Sequence, residues 1–191
     1  MIFEKDMTLA VDFTGQSSLI GWFASEKLNG VRAYWDGSSF WSRAGKRIEA
    51  PDWLTKDLPK IHLDGEIHAG RGTGTCNNNT GYICAMTAVV QGGKWWNKIG
   101  NDGMAIRFTA FDAPKETAWG ESGRQPVKWI DRIARIDVGI RIGWTQIANS
   151  RHLAEYMIDL HAKGAEGAMF RNPDEIGYHA GRTGALLRWK F

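Results

Sequence analysis

Strand-like runs with a period of two residues dominate this sequence, and most of them end at Gly, Asp or Pro. Neighbouring side chains of a strand point to opposite faces, so this alternation is typical of half-buried β-strands. In the first run, residues 31–36, we expect Arg32 and Tyr34 to point outward before a turn at 36–37. The runs are VRAYWD, SFWSRAG, IHLDGEIHAG, MAIRFTAFDAP, GIRIGWTQI, GAMFRNP and ALLRWKF.

Helical periodicity is confined to two segments. SRHLAEYMIDLHAKG has apolar residues at helical spacing, a cap at Asn149 or Ser150 and a stop at Gly164. PVKWIDRIARI is predicted to begin at Pro126 and to present one apolar face. The fold class predicted from these patterns is α+β, with antiparallel β-sheets and helices packed on them.

Two regions rich in glycine and small polar residues are predicted to be loops. They are residues 70–81, GRGTGTCNNNTG, and residues 91–103. Neither region contains the G-x-x-x-x-G-K-[ST] pattern of a phosphate-binding loop. We therefore interpret both as plain connections.

Composition limits the class of protein. The chain has 191 residues, 43% of them hydrophobic, without a break in composition, so one domain is expected. The formal net charge of +3 is too small to indicate a nucleic-acid partner by itself. The only two cysteines, Cys76 and Cys84, exclude a disulfide framework and favour a reducing compartment. Since the first residues lack a long apolar segment, we expect a cytoplasmic protein with no membrane partner.

Charged and polar residues inside or beside apolar strands form the candidate site, because a buried charge is costly unless it is paired or used. Carboxylate oxygens suit Mg²⁺, and lysine and arginine suit phosphate, so the set indicates a polyanion with a divalent metal. Singly, each residue also fits a structural role, such as a turn or the solvent face of an edge strand. The set is Lys27, Arg32, Ser42, Arg43, Asp64, Glu66, Glu166, Arg188 and Lys190.

In chain order, EKLNG, SRAG, LDGE, AFDAP, EGAMFR and LLRWK resemble the motif series of the covalent nucleotidyltransferases. That superfamily comprises ATP-dependent DNA ligases, RNA ligases and capping guanylyltransferases. SEKLNGVRAYWDG, SRAGKRIEAPDWL and LDGEIHAGRG are most similar to the minimal bacterial E-type and phage ATP-dependent DNA ligases. The resemblance implies an ATP-grasp-like nucleotidyltransferase domain of the DNA ligase type over residues 1–191.

The resemblance also implies roles in nucleotide chemistry. Lys27 would attack the α-phosphate of ATP and hold AMP as a phosphoamide. Arg32 and Glu66 would bind the ribose side, and Phe111 would stack on adenine. Arg188 and Lys190 would neutralise the α-phosphate.

Further implied residues face the other partners. Arg43 would contact the 5′-phosphate of a nick in duplex DNA, with Arg182 as a second DNA-binding residue. Glu66 and Glu166 would hold Mg²⁺. We expect a monomer that acts on nicked duplex DNA.

Three features depart from the family pattern. Asn29 stands where the family's K-x-D-G motif has aspartate, so a catalytic charge that supports sealing is absent. Arg188 replaces a common lysine but keeps the positive charge. The chain ends at Phe191, before the OB-fold that follows in such ligases, so we expect either an isolated catalytic domain or a separate OB-fold or clamp-like partner that supplies the missing part.

The function predicted is the catalytic domain of an ATP-dependent DNA ligase. It would form a covalent lysyl-AMP, transfer AMP to the 5′-phosphate at a nick, and then form the phosphodiester bond. An RNA ligase or RNA-end adenylating enzyme is the alternative in chemistry. A non-catalytic module that binds nucleotides or nicks is the alternative in class, because of Asn29 and the absent OB-fold. A capping-type guanylyltransferase fits the residues around the motifs least well.

Overall fold

Two five-stranded sheets carry the fold. The structure, a computed structural model, describes residues 6–69, 86, 89–92, 96, 106–114 and 127–191. In spatial order, sheet A consists of β1 (Thr8–Asp12), β10 (Gly181–Lys190), β9 (Gly167–Arg171), β2 (Phe23–Glu26) and β8 (Thr145–Gln146). Sheet B consists of β5 (Arg47–Ile48), β4 (Phe40–Ser42), β3 (Val31–Trp35), β6 (Leu63–Ala69) and β7 (Ile106–Asp112). All pairings are antiparallel except β1 with β10, so the predicted α+β class is confirmed.

The described helices are α1 (Asp52–Thr55), α2 (Trp129–Ile133) and α3 (Ser150–Ala162). The α3 prediction is confirmed: Asn149 caps it by accepting a hydrogen bond from the His152 backbone at 2.9 Å, and Gly164 has φ +70° after its end. The predicted start of the other helix at Pro126 is wrong, because α2 begins at Trp129. None of the helices in the described ranges is long and apolar enough to cross a membrane.

Most strand predictions are confirmed, but two details differ from the structure. The run GIRIGWTQI forms only the two-residue β8 and a single bridge from Arg141 to Ala110. The strands β1, β2 and β5 lie outside the predicted runs. Residues 70–81, most of 91–103 and both cysteines lie outside the described residues.

Strand β3 is covered on both faces, which corrects the predicted outward position of Tyr34. The Tyr34 side chain is fully buried, packs with Met7 and lies 2.5 Å from Nδ1 of His62. Arg32 is also largely buried and pairs with Asp64. A period of two predicts which residues share a face, but not whether another segment covers the second face.

Each sheet has its own apolar core. The core beside sheet B centres on aromatic residues that include Trp35, Phe40 and Phe108. The core of sheet A lies between β2, β9 and α3, with Phe170 and Leu160 among its members. The two sheets can therefore present polar groups to each other where they meet.

Two titratable residues of β6 have pKa values shifted in opposite directions by burial. Burial lowers the pKa of His68 to about 4, and the charge of Arg107, its cross-strand partner, adds to this shift. Burial raises the pKa of Glu66 to about 7, although the charges of Lys27 and Arg32 oppose the shift. Their effects on stability between pH 4 and 7 therefore oppose each other.

We predict that His68→Gln makes the protein relatively more stable as the pH falls. An unfolded histidine binds a proton near pH 6.5, but native His68 does so only near pH 4. The parent therefore loses up to about 3 kcal/mol of unfolding free energy across this window. Urea unfolding at several pH values should show a difference between variant and parent that grows in acid. The control His161→Gln changes an exposed histidine; a difference that is constant with pH for His68→Gln would contradict the prediction.

Glu66→Gln should show the opposite dependence. The native carboxyl keeps its proton to about pH 7, whereas in the unfolded chain it ionises near pH 4.5. The parent then loses about 3 kcal/mol at most as the pH rises through this window. The same titration should show the variant gaining stability over the parent up to about pH 8. Glu155→Gln, on the exposed face of α3, is the control, and equal slopes for the Glu66 variant and the parent would disprove the assignment.

Candidate functional site

A cleft of about 230 Å³ opens between the two sheets. Sheet A contributes the end of β2 and parts of β9 and β10, and sheet B contributes Arg32, Glu66 and Phe111. The lining combines apolar and aromatic side chains with several cations. A cleft of this composition suits a ligand with a flat apolar part and a negatively charged part.

Lys27 follows directly after β2 at the edge of this cleft. Its backbone N–H donates to the Gly167 carbonyl at 2.9 Å, which fixes the start of the side chain. Its Nζ atom lies 2.6 Å from Oε2 of Glu166, and Lys190 Nζ lies 2.9 Å from the other oxygen of Glu166. Although burial opposes the effect, hydrogen bonds from the two lysines hold the pKa of Glu166 below its ordinary value. Glu166 is therefore ionised, and its carboxylate orients the amine of Lys27.

Two glycines permit the close approach of these segments. A Cβ atom at Gly30 would overlap the Ile67 carbonyl, and the Gly30 N–H donates to Oε1 of Glu66 at 3.0 Å. Gly167 has φ +156°, and a Cβ atom there would overlap the Trp189 carbonyl. Gly30 therefore lets the segment after Lys27 lie against β6, and Gly167 lets the segment after Glu166 lie against β10.

Arg32 on β3 lies opposite Glu66 on β6 and projects into the cleft. Its guanidinium carbon is 5.5 Å from the centre of the Phe111 ring. It pairs with Asp64 through two hydrogen bonds, Nε to Oδ1 at 3.0 Å and Nη2 to Oδ2 at 2.5 Å. Arg32 is therefore a fixed cation beside an aromatic surface.

The remaining predicted cations differ in how far they are exposed to solvent and in whether they line the cleft. Arg188 lines the cleft and donates from Nε to Oδ1 of Asp12 at 2.6 Å. Arg43 and Arg182 also line it and are exposed at its mouth. Lys190 is 54% exposed and is joined to the site through Glu166.

Of the predicted site residues, the cleft lining includes Lys27, Arg32, Arg43, Glu66, Phe111, Arg182 and Arg188. Asn29, Glu166 and Lys190 are not among the described lining residues, although Glu166 contacts Lys27 directly. The structure thus brings most of the set together around one opening.

Sequence reasoning missed several residues of the cleft. Ser25 and Arg171 are buried in its wall, and Trp129 and Trp144 pack edge to face at 4.6 Å between ring centres. Arg171 could have been found as a charge at the end of the apolar strand GAMFR. The tryptophans gave no such signal, because an aromatic residue in an apolar pattern is equally typical of a core.

The carboxylates beside Lys27 fit a metal ion that is bound partly by the protein and partly by a ligand, rather than one bound by protein side chains alone. No group of three or more His, Cys, Asp or Glu that could hold a metal occurs in the described part of the chain. Glu66 and Glu166 are close enough that the charge of Glu166 contributes to raising the pKa of Glu66, after burial. Mg²⁺ bound through one or two carboxylates, waters and substrate phosphates needs no more than this pair.

Comparison with known proteins supports one family. No family profile matches the chain. A DNA ligase of Haemophilus influenzae is 26% identical over 196 residues, which cover 98% of this chain and 64% of that protein. This chain therefore spans less than two thirds of the length of its curated relative.

Solved structures match the fold. A structure from a study of DNA binding by Lig E DNA ligases has a TM-score of 0.73 and 25% identity, over 97% of this chain and 68% of that one. Chlorella virus DNA ligase-adenylate has a TM-score of 0.68 and 23% identity, over 96% and 67%. The bacteriophage T7 ATP-dependent DNA ligase in complex with ATP has a TM-score of 0.67 and 17% identity, over 97% and 68%. The chain is therefore a homologue of DNA ligases and has the fold of the catalytic domain of the ATP-dependent members.

Proposed function

We propose that this chain is the nucleotidyltransferase domain of an ATP-dependent DNA ligase. The observation that carries the proposal is the Lys27 amine at the edge of a cleft that also contains Phe111 and the cations Arg32 and Arg188. An adenine ring requires an aromatic or apolar surface, and a triphosphate requires cations, and both lie within reach of one nucleophile.

The first step would form the lysyl adenylate. Lys27 first loses a proton to solvent, and its neutral Nζ atom then attacks the α-phosphorus of ATP: a P–N bond forms, the P–O bond to the β-phosphate breaks, and pyrophosphate leaves. The amine proton passes to solvent, since Glu166 has a lowered pKa and is a weak proton acceptor. Arg188 would donate hydrogen bonds to the α-phosphate as negative charge develops there.

The later steps would act on a nick. An oxygen of the 5′-phosphate attacks the lysyl adenylate, the P–N bond breaks, and Lys27 regains a proton. The 3′-hydroxyl then attacks the 5′-phosphorus, loses its proton, and AMP leaves. The exposed cations Arg43 and Arg182 at the cleft mouth would hold the phosphate backbone of nicked duplex DNA.

We propose Mg²⁺ as the metal of this reaction. Glu66 and Glu166 would hold it together with the phosphates of ATP, and it would supply charge neutralisation at the leaving pyrophosphate. The protein's own contribution is to hold Lys27 and the nucleotide in fixed positions.

Lys27→Ala should abolish formation of the adenylate. Intact mass spectrometry after incubation with ATP and Mg²⁺ is expected to show one added adenylyl group on the parent and none on the variant, because the amine forms the covalent bond. Lys163→Ala is the matched control, since Lys163 is an exposed lysine at the end of α3 that pairs with Asp159. An adduct on the Lys27 variant, or no adduct on the parent, would contradict the proposal.

Asn29→Asp should increase nick sealing. A carboxylate can accept a proton and bind a cation, whereas the amide of Asn29 can do neither as well, and a positioned acid–base group contributes about 100-fold or more. The measurement is single-turnover sealing of a pre-adenylated DNA nick, with a 3′-ribonucleotide nick in parallel for the RNA alternative. Asn149→Asp is the control, because aspartate caps a helix as well as asparagine does. Equal sealing by the Asn29 variant and the parent would reject this role.

A further inference from the structure

The guanidinium of Arg32 is held by acceptors from two different strands. Asp64 on β6 accepts from Nε and Nη2, and the backbone carbonyl of Thr8 on β1 accepts from Nη2 at 2.8 Å. Among the described residues, the remaining nitrogen, Nη1, has no hydrogen-bond partner. The pairing therefore leaves one donor group for a ligand in the cleft.

Both acceptors are in turn fixed by adjacent residues of the β9–β10 connection. The hydroxyl of Tyr178 donates to Oδ2 of Asp64 at 2.5 Å, where both side chains are buried. The hydroxyl of Thr8 donates to the carbonyl of His179 at 2.6 Å. We name Tyr178 and His179 the strap, because these two residues reach both acceptors of Arg32.

The connection that carries the strap is itself anchored. The Trp129 N–H donates to the Glu175 carbonyl at 3.2 Å, and the Gly177 N–H donates to the Val127 carbonyl at 3.0 Å. The strap therefore links the position of Arg32 to α2 and to the segment before it. If the carboxylate of Asp64 accepted hydrogen bonds only from Arg32, the two side chains could rotate together. The additional hydrogen bond from the buried Tyr178 hydroxyl prevents this rotation.

We propose that Tyr178 and the backbone of His179 are positioning residues for nucleotide binding, which act by holding Arg32 with Nη1 directed to the bound nucleotide. The inference rests on the proposed function, since it assigns ATP to this cleft. Neither strap residue is among the described residues that line the cleft, so direct contact with the nucleotide is not invoked. Their effect passes through Asp64 and Thr8.

Two substitutions each remove one hydrogen bond between the strap and an acceptor of Arg32, and neither changes the size of the side chain by more than one atom. Tyr178→Phe deletes the hydrogen bond to Asp64, and Thr8→Val deletes the one to His179. Each should raise the dissociation constant of ATP, measured by calorimetry without divalent metal, by about three- to tenfold. Tyr156→Phe on α3 and Thr55→Val in α1 are the matched controls and should leave the constant unchanged.

The decisive comparison is made in an Arg32→Gln background, with Arg32→Lys as a second version should the first fold poorly. If the strap acts through Arg32, Tyr178→Phe and Thr8→Val will add no further loss of ATP affinity there. A fully additive loss in both Arg32 backgrounds would overturn the inference. Urea unfolding of every variant separates affinity from stability, and a variant that loses stability but keeps the parent affinity for ATP also overturns it.

The rate of adduct formation distinguishes this inference from the proposed function. A strap variant should need a higher ATP concentration for half-maximal adduct formation, while its rate at saturating ATP stays within about twofold of the parent. If the parent binds ATP but forms no adduct, the proposed function fails, while unequal affinities of parent and variants would still support the strap. If the parent binds no ATP, both are overturned.

Discussion

A buried carboxylate between the two sheets is the interaction on which the cleft depends. Asp112, at the end of β7 in sheet B, accepts from Arg132 on α2 at 2.7 and 2.9 Å and from Arg171 on β9 of sheet A at 2.7 Å. All three residues are buried, so removing one of them would leave an uncompensated charge and cost about 3–5 kcal/mol. The cleft lies between the same two sheets, and Arg171 is part of its wall. The spacing of the sheets, and with it the distance from Lys27 to Phe111, therefore rests on these ion pairs.

The sequence predicts elements whose pattern is long enough to be periodic. β3, β6, β7, β9 and α3 each carry their own signal in alternation, turns or caps, and all are found. β2 has only four residues and β5 only two, so neither contains enough positions to reveal a period. The burial of Tyr34 by Met7 could not be predicted, because it depends on a segment that reaches β3 only in the folded chain.

The same limit applies to the site. The cations and carboxylates of the cleft were identifiable because charge in an apolar strand is unusual, and the motif order placed them in one family. Their partners were not identifiable. Tyr178 meets Asp64 from 114 positions away, and Arg188 meets Asp12 from 176 positions away, so no local pattern records either contact. Pairing in the folded chain also decides which cations stay in buried ion pairs and which can leave their partners to bind a ligand.

Burial divides the cations of the cleft into two kinds. Arg32 has a partner, Asp64, that is 1% exposed, and Arg171 is bonded to the equally buried Asp112, so breaking either pair would strand a charge inside the protein. Arg188 pairs instead with an Asp12 side chain that is 69% exposed, and Lys190 is itself exposed. Water can solvate Asp12 after it is released, so exchanging its carboxylate for a phosphate is cheap. The buried pairs therefore fix the geometry of the cleft, while the exposed pair of Arg188 with Asp12 can separate and release its cation to the phosphates of the proposed nucleotide.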